Sequence, residues 1–378
     1  MTGDTIFALA SGHGRAGVAI IRVSGPAAYR GAKRLVGRDL PVRRVAHVRL
    51  VDKEGGELLD RAIALFFPEP ASFTGEDVVE LHVHGGLAVI DGVLEALGRL
   101  ECFRLAQPGE FTRRSFENGK IDLTAAEGVA DLVAAETAAQ RNQALRQIDG
   151  ALAEFSETCR TRLMAAMAHW EVGIDFSDEV LPKDTQIIVL DEISKLVDEI
   201  KMQVDDGHWG ERLRHGIEVV ILGPPNVGKS SLLNRLAKRD AAIVSEVAGT
   251  TRDVIEVRMD LGGYPVILAD TAGLRRPGNE VEREGVHRTR AWAQSADVRI
   301  VILDGAAKPK IDAELQAWAS NDGLVVVNKI DTLACKPPTE INGYPVMAIS
   351  AKTGHGVGGL VRELEERVVN KVRRKTAP

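Results

Sequence analysis

A glycine-rich segment between a strand and a helix constrains this chain more than any other part of its sequence. Residues Gly223 to Ser230 read GPPNVGKS, after the apolar run Ile217 to Leu222 and before an amphipathic helix that begins near Ser231. Glycines in such a loop let backbone N–H groups surround a phosphate, Lys229 supplies a positive charge, and the Ser230 hydroxyl can bind Mg²⁺. The segment predicts a nucleoside triphosphate site and leaves the base open.

Two motifs further along the chain suit the γ-phosphate end of that site. Gly249 to Asp253, with the sequence GTTRD, offers the Thr251 hydroxyl to Mg²⁺ and a backbone N–H to the γ-phosphate. Asp270 to Gly273, with the sequence DTAG, follows the apolar run Pro265 to Ala269. This order places a carboxylate near the metal and a glycine N–H near the γ-phosphate.

Two later motifs indicate that the base is guanine. Asn328 to Asp331 (NKID) follows the predicted strand Leu324 to Val327. Its Asp331 carboxylate can accept hydrogen bonds from the N1–H and exocyclic amine of guanine, a pair of donors that adenine lacks. Ser350 to Lys352 (SAK) follows another apolar strand and offers a backbone N–H to guanine O6.

The predicted GTP-contacting residues therefore fall in five groups. They are Asn226, Val227, Gly228, Lys229, Ser230 and Ser231; Ser245, Glu246, Val247, Ala248, Gly249, Thr250 and Thr251; Asp270, Thr271, Ala272 and Gly273; Asn328, Lys329 and Asp331; and Ser350, Ala351 and Lys352. Ser230 and Thr251 are the predicted Mg²⁺ ligands.

The sequence alone does not identify the residue that positions the attacking water. Ras-type GTPases carry glutamine directly after the DxxG glycine, whereas this chain has Leu274, which cannot hydrogen-bond. Glu282, in the charged stretch Asn279 to Glu284, is one candidate for a base or water-orienting group. A solvated charge run is the alternative interpretation.

Asn226 raises the possibility of a monovalent cation beside the phosphates. Its side-chain carbonyl and the carbonyls of residues 245–250 would form an oxygen cage, and oxygen ligands suit hard cations. Such an ion could supply the positive charge that an arginine finger provides elsewhere. The alternative is that Asn226 only shapes the loop.

Three motifs outside the nucleotide-binding motifs are absent from generic GTPases and are typical of one protein family. They are Gly17 to Gly25 (GVAIIRVSG), Phe73 to Gly86 (FTGEDVVELHVHGG), and Pro108 to Arg114 (PGEFTRR) continuing to Asn118 to Leu123 (NGKIDL). With the five nucleotide motifs, they make nearly the whole chain similar to the MnmE family, also called TrmE, of tRNA modification GTPases.

The resemblance implies a K⁺-stimulated, Mg²⁺-dependent GTPase with Glu282 as catalytic residue. It implies K⁺ ligands at Asn226, Ser245, Val247 and Thr250. It also implies that 5-formyl-tetrahydrofolate contacts Arg22, Glu80 and Lys120. These three side chains suit a folate, because its glutamyl tail is acidic and its pterin N–H groups suit a carboxylate, although structural salt bridging is an alternative use.

The family reaction implied for this chain builds a 5-carboxymethylaminomethyl-type group on the wobble uridine of tRNA. It uses a folate one-carbon unit and the FAD-bearing partner MnmG, with which a heterotetramer is expected. A homodimer through the N-terminal domain is expected as well. Two alternatives stay open: a ribosome-assembly or RNA-binding GTPase switch, and a folate-binding GTPase that has lost tRNA modification.

We expect a multidomain chain. Residues 1–119 predict an α+β folate-binding-like and dimerisation domain, 120–214 the first part of an α-helical domain, 215–365 an α/β P-loop GTPase domain, and 366–378 the start of a further helical segment. The helical part has a capping-box pattern, Thr124 with Glu127, near its start.

The cysteine content and the apolar runs indicate where in the cell the protein is expected, and the family resemblance gives an expectation for the C-terminal part. Three scattered cysteines indicate no disulfide framework, and the absence of a long apolar run predicts a cytoplasmic protein without membrane association. Family members continue beyond the GTPase domain with further helices and a cysteine-bearing tail, whereas this sequence stops at Pro378. A helical domain without those partners is expected to expose apolar stripes.

Overall fold

The chain divides into two compact units. The computed structural model describes residues 3–175, 185–238, 256–270, 292–307, 311, 313–319 and 323–376. The first unit comprises residues 1–129 with 148–153, and the second comprises residues 130–147 with 154–378. The bounds of the four segments expected from sequence stay a prediction.

The first unit is built on a six-stranded sheet in the order β3-β4-β5-β2-β1-β6. Only β1 and β6 pair in parallel, and the other neighbours are antiparallel. Its strands are β1 Thr5–Leu9, β2 Ala16–Ser24, β3 Ala46–Val51, β4 Leu58–Phe67, β5 Val78–Gly85 and β6 Phe103–Leu105. Its helices are α1 Ala28–Val36, α2 Leu87–Gly98 and α3 Glu110–Glu117, and α4 Leu123–Ala134 begins in this unit and ends in the second.

Strict alternation in β5 shows why this sheet has two different faces. Val79, Leu81 and Val83 are buried in a core shared with α1 and α2, because successive strand residues point to opposite faces. Glu80 and His82 are half-buried on the other face, and His84 is exposed. These three polar residues therefore share one face of the sheet.

The start of α4 differs from the sequence prediction. The helix begins at Leu123, and the Asp122 carboxylate oxygen Oδ1 accepts from the Ala125 N–H at 2.8 Å and from the Thr124 hydroxyl at 2.7 Å. A carboxylate two positions before Thr124 thus caps the first turn, so the capping box predicted at Thr124 was wrong.

A buried ion network ties α3 to the sheet of the first unit. The Glu110 side chain is 1% exposed, and its oxygens accept from Arg104 at 2.6 and 2.9 Å and from Arg114 at 3.3 Å. Arg114 continues to Glu76 at 3.1 Å, and Glu76 accepts from the Ser24 hydroxyl at 2.8 Å. The Arg104 hydrogen bonds hold the pKa of Glu110 at about 2, although burial opposes this.

The second unit contains a seven-stranded sheet in the order β12-β13-β11-β10-β7-β9-β8. The five inner strands are parallel, and β8 and β12 are antiparallel at the edges. Its strands are β7 Ile217–Leu222, β8 Glu256–Leu261, β9 Tyr264–Asp270, β10 Val298–Asp304, β11 Gly323–Asn328, β12 Glu340–Ile341 and β13 Tyr344–Ala348. The helices that accompany it are α8 Lys229–Ala237, α9 Ala313–Ala319 and α10 Val357–Thr376.

The inner strands carry continuous apolar runs because both faces of a parallel sheet are covered. Residues 300–303 of β10 are buried throughout, as are residues 324–328 of β11. The α/β architecture predicted for residues 215–365 is therefore present in the described part of this unit. Parallel strands also bring their carboxyl ends to one edge, where ligands bind in such sheets.

Three further helices make up the helical part: α5 Ala138–Ile148, α6 Ala151–Asp175 and α7 Thr185–His215. Arg162 on α6 joins α7 through Glu192 and Glu199, each at 2.6 Å. Both helices expose large apolar side chains, including Met164 and Met167 of α6 at 55% each and Ile188 of α7 at 66%. Among the described residues, no helix is both long and apolar enough to cross a membrane.

The Glu110 network generates a stability prediction. Glu110→Gln should lower the free energy of opening of the first unit by about 3 kcal/mol, because two arginines lose a buried carboxylate partner. In the parent protein, this contribution should be present above pH 4.5 and be lost as the pH falls from 4.5 to about 2, since the folded pKa is the lower one. Hydrogen exchange of peptides from β1 and β6 measures both effects.

Glu95→Gln is the matched control. Its carboxylate also pairs with an arginine, Arg99, at 2.5 Å, but its side chain is 68% exposed. An exposed pair of this kind contributes about 1 kcal/mol or less. Equal effects of the two substitutions would contradict a structural role for the buried network.

Candidate functional site

The phosphate-binding loop lies between β7 and α8, as the sequence predicts. Gly223 has a φ of 151° and Gly228 a φ of 98°, so both adopt backbone conformations that other residues rarely accept. A Cβ atom at Gly223 would overlap the Ile302 carbonyl oxygen, and one at Gly228 would overlap the Asn328 amide nitrogen. These two glycines are required by the close approach of neighbouring strands as well as by the loop.

Lys229 begins α8 and its side chain folds back over the loop. Its ammonium group donates to the carbonyl oxygens of Gly223 at 2.9 Å and Pro224 at 2.8 Å, and the residue is 7% exposed. The positive end of the helix dipole lies at the same point. The loop therefore presents a buried cation and helical N–H groups to an anion, the arrangement that binds phosphate.

The Asn328 side chain joins three loops at the carboxyl edge of the sheet. Its amide nitrogen donates to the Val227 carbonyl oxygen at 2.8 Å, and its amide oxygen accepts from the Ala351 N–H at 2.8 Å. The residue is 2% exposed. One buried amide thus fixes the phosphate loop and the Ser350 to Lys352 loop relative to the NKID motif.

Lys329 makes a second connection between the same loops. Its ammonium group donates to the Asn226 carbonyl oxygen at 2.6 Å and to Asp304 Oδ2 at 2.6 Å. Burial favours the neutral form of Asp304, but the bonds from Lys329 and from the Ala306 N–H outweigh burial and hold the pKa of Asp304 below its usual range. The lysine is therefore held by an ionised carboxylate.

Asp331 is oriented by Ser350, which is completely buried. The Ser350 hydroxyl donates to Asp331 Oδ1 at 2.6 Å, and this bond lowers the pKa of the Asp331 carboxyl. The serine oxygen also accepts from the Thr353 N–H at 3.1 Å. An ionised carboxylate at this position is an acceptor for two N–H donors on one edge of a base.

Arg235 of α8 hydrogen-bonds to two carbonyl oxygens of the Ser350 to Lys352 loop. Its Nε donates to the Ala351 carbonyl oxygen at 3.0 Å, and its guanidinium also donates to the Lys352 carbonyl oxygen. Sequence reasoning missed both Arg235 and Asp304. Asp304 had a signal, since it ends β10 as Asn328 ends the adjacent parallel strand β11.

The described structure brings together the predicted residues at the phosphate and base ends. Those joined by direct contacts are Asn226, Val227, Lys229, Asn328, Lys329, Asp331, Ser350, Ala351 and Lys352, with Gly228 in the loop and Ser230 and Ser231 on the first turn of α8. Asp270 is described as the end of β9, opposite Ile221 of β7. Outside the described residues lie Ser245, Glu246, Val247, Ala248, Gly249, Thr250, Thr251, Thr271, Ala272, Gly273 and Glu282.

In the first unit, Arg22 and Glu80 form an ion pair on the polar face of the sheet. Arg22 donates to Glu80 Oε1 through Nε at 3.0 Å and through Nη2 at 2.8 Å. Its guanidinium lies 5.6 Å from the ring centres of both Phe73 and Phe111. Charged groups and aromatic surface are therefore adjacent.

Lys120 is exposed and lies beside the loop that follows Phe73. A Cβ atom at Gly75 would be 3.2 Å from Lys120 Cγ, and Gly75 has a φ of 80°. Asn118 donates to the Thr74 carbonyl oxygen at 2.8 Å, which fixes the same loop. The structure thus links Lys120 to the Arg22 site through residues 73–76.

Of the two neighbouring histidines, His84 contacts a carboxylate at hydrogen-bond distance, whereas His82 Nε2 is buried and makes no hydrogen bond within the described part of the chain. His82 Nε2 lies 3.5 Å from Glu80 Oε2, and His84 Nδ1 lies 2.8 Å from Asp60 Oδ1. Within the described ranges, no group of three or more His, Cys, Asp or Glu residues is placed to hold a metal ion.

The Asn328 contacts generate a prediction about the nucleotide site. Asn328→Ala should weaken guanine nucleotide binding on the order of 10- to 100-fold, because two buried backbone groups lose their partners and three loops lose their link. Calorimetric titration of the nucleotide-free protein with GDP measures this.

Asn142→Ala is the matched control, because Asn142 is exposed on α5 in the same unit. It should bind GDP as the parent does. Parent-like affinity of Asn328→Ala would show that the loops keep their positions without this amide.

Comparison with known proteins identifies relatives over nearly the whole chain. The family profile described as GTP-binding protein TrmE N-terminus matches residues 5–120, and the one described as MnmE helical domain matches residues 123–377. A tRNA modification GTPase MnmE of Paramagnetospirillum magneticum is 52% identical over 376 residues, covering 99% of this chain and 85% of that protein.

A second relative and a solved structure complete the comparison. The tRNA modification GTPase MnmE of Parvibaculum lavamentivorans is 54% identical over 366 residues, covering 97% of this chain and 82% of that protein. The crystal structure of Aquifex aeolicus Era bound to GDP and AlF₄⁻ aligns at 26% identity with a TM-score of 0.30, covering 40% of this chain and 56% of that one. The resemblance noted from the sequence is confirmed, and the chain belongs to the MnmE family of tRNA modification GTPases.

Proposed function

We propose that this protein hydrolyses GTP to drive modification of the wobble uridine of tRNA. The observation that carries the proposal is the Asn328-centred site, which joins a phosphate loop to an ionised Asp331 in a member of the MnmE family. In the proposed reaction, the chain acts with the FAD protein MnmG to build a 5-carboxymethylaminomethyl-type group. Assembly with MnmG as a heterotetramer, homodimerisation through the first unit and a cytoplasmic location belong to the same proposal.

Guanine recognition is proposed to rest on Asp331 and the following SAK loop. The Asp331 carboxylate accepts from N1–H and the exocyclic amine of guanine. The Ala351 N–H already donates to Asn328, which leaves the Lys352 N–H as a donor to guanine O6. Adenine presents the opposite pattern on this edge and is excluded by unpaired groups.

The cations are proposed to bind around the phosphates. Ser230 is exposed on the first turn of α8, so its hydroxyl suits Mg²⁺ together with Thr251. Asn226 is exposed with a φ of 62°, which is compatible with a side-chain ligand for K⁺ alongside Ser245, Val247 and Thr250. These ions supply positive charge to the phosphates when bound.

The residues around Arg22 fit a folate. A pterin is a flat ring with hydrogen-bond donors, and Phe73 offers a ring that is 39% exposed next to the Glu80 carboxylate. Lys120 is exposed beside the Phe73 loop and suits the acidic tail. The proposal is that 5-formyl-tetrahydrofolate, which would supply the one-carbon unit, is held by Arg22, Glu80 and Lys120.

Nucleoside analysis of tRNA tests the proposed function. A strain lacking its own member of this family should regain the modified wobble uridine when this chain is supplied, whereas the Asn328→Ala variant should restore less. Folate binding and GTP hydrolysis without any restored nucleoside would favour a folate-binding GTPase that lacks the tRNA reaction. Restoration of ribosome assembly alone would favour an RNA-binding switch.

Glu282 generates a kinetic prediction. Glu282→Ala should leave GTP affinity nearly unchanged and lower single-turnover hydrolysis by about 10²- to 10⁴-fold, because Leu274 cannot orient the attacking water. Glu284→Ala removes a charge from the same stretch and serves as control. A Glu282→Ala rate within about twofold of the control would remove Glu282 from the mechanism.

The proposed K⁺ site generates a second kinetic prediction. The parent should hydrolyse GTP faster in K⁺ than in Na⁺ at equal ionic strength.

A further inference from the structure

A strongly basic segment in the first unit has no role in the sites described above. Residues 28–53 contain eight Lys or Arg and two Asp, which leaves six positive charges, in a chain whose formal net charge is −6. The acidic balance of the protein is therefore reversed locally. The eight residues are Arg30, Lys33, Arg34, Arg38, Arg43, Arg44, Arg49 and Lys53, and all are exposed.

The fold gathers this segment at one edge of the sheet of the first unit. The buried side of α1 shares a core with β3, which is an edge strand. The Arg38 guanidinium donates to the His47 carbonyl oxygen of β3, so the intervening loop lies along that edge. Arg34 and Lys53 line one shallow cleft where α1 meets the end of β3, and Asp52, Glu54 and Arg99 line it as well. We call the eight residues the α1–β3 basic surface.

Few of these charges are neutralised within the protein. Within the described part of the chain, one of the eight makes an ion pair, Lys33 with Asp39 at 2.6 Å. Arg49 is paired in register with Arg61 of β4, so two like charges face each other across neighbouring strands. Like charges in this position are destabilising unless a counter-charge is present.

Two ordinary explanations account poorly for the arrangement. Charged residues can protect an edge strand from pairing with another chain, but only Arg49 of the eight lies within β3. A basic amphipathic helix can bind a membrane surface, but the apolar side of α1, including Ala28, Ala32 and Leu35, is buried in the core. Neither explanation requires six surplus charges.

We propose that the α1–β3 basic surface binds the phosphate backbone of an RNA, and that this RNA is the tRNA substrate. Exposed cations without an internal counter-charge release counterions when they contact phosphates, and this supplies much of the affinity of proteins for nucleic acids. Six of the eight are arginines, whose planar guanidinium suits phosphate. The inference rests on the proposed function for the identity of the RNA.

Salt-dependent binding to an unmodified tRNA transcript tests the proposal. The test variant combines Arg34→Ser, Arg44→Ser and Lys53→Ser in the full chain. The control combines Arg146→Ser, Lys201→Ser and Arg362→Ser, which removes the same charge from exposed positions of the second unit. Thermal unfolding and GTP hydrolysis of both variants confirm that they are folded.

The test variant should bind tRNA more weakly than the parent and the control. Between 50 and 200 mM KCl, its plot of log affinity against log salt should be less steep by about two to three, one unit or slightly less for each lost phosphate contact. Equal slopes for the test variant and parent would overturn the proposal while leaving the tRNA function intact. Loss of binding to phosphatidylserine vesicles with unchanged tRNA binding would overturn it in favour of a membrane surface. A parent that binds no tRNA, alone or with its partner protein, would overturn the proposed function as well.

Discussion

Two hydrogen bonds of one buried amide connect the phosphate end of the nucleotide site to its base end. The Asn328 nitrogen is bonded to the Val227 carbonyl and its oxygen to the Ala351 N–H, both at 2.8 Å. The three loops leave three different parallel strands, β7, β11 and β13, so nothing in local chain geometry fixes them relative to one another. Because the amide is buried, an incorrect loop position would leave polar groups unpaired, which costs about 1–3 kcal/mol for each group.

The charged residues of this site depend on the same frame. Lys329 bridges Asp304 and the Asn226 carbonyl, while Ser350 orients Asp331. Each contact gives a charged group a fixed partner within the protein. Preorganisation of this kind lowers the entropy lost on binding. The first unit uses a comparable device, since the buried Glu110 carboxylate fixes two arginines between α3 and the sheet.

The sequence was most informative where a function requires particular residues at a fixed spacing. The P-loop, NKID and SAK motifs predicted their strands and loops, and parallel strands bring the carboxyl ends of those strands together. Asp304 and Arg235 escaped prediction because their roles arise from contacts across the fold, 25 and 116 residues from their partners Lys329 and Ala351. The Asp122 cap was missed because this carboxylate, two residues before Thr124, competes with the predicted Thr124 pattern. The pairing of Glu80 with Arg22 was not predictable either, because it depends on the register between β2 and β5, which composition does not reveal.

The claim that the base end of the site is assembled by the protein itself is tested most directly by hydrogen exchange. The Ala351 amide should be protected in nucleotide-free protein to a degree comparable with the Ile349 amide, which bonds to the Val327 carbonyl at 2.8 Å within the adjoining sheet. Asn328→Ala should remove the protection of Ala351 and leave that of Ile349 in place. Exchange of the Ala351 amide at the rate of an unprotected backbone N–H until GDP is added would contradict the account.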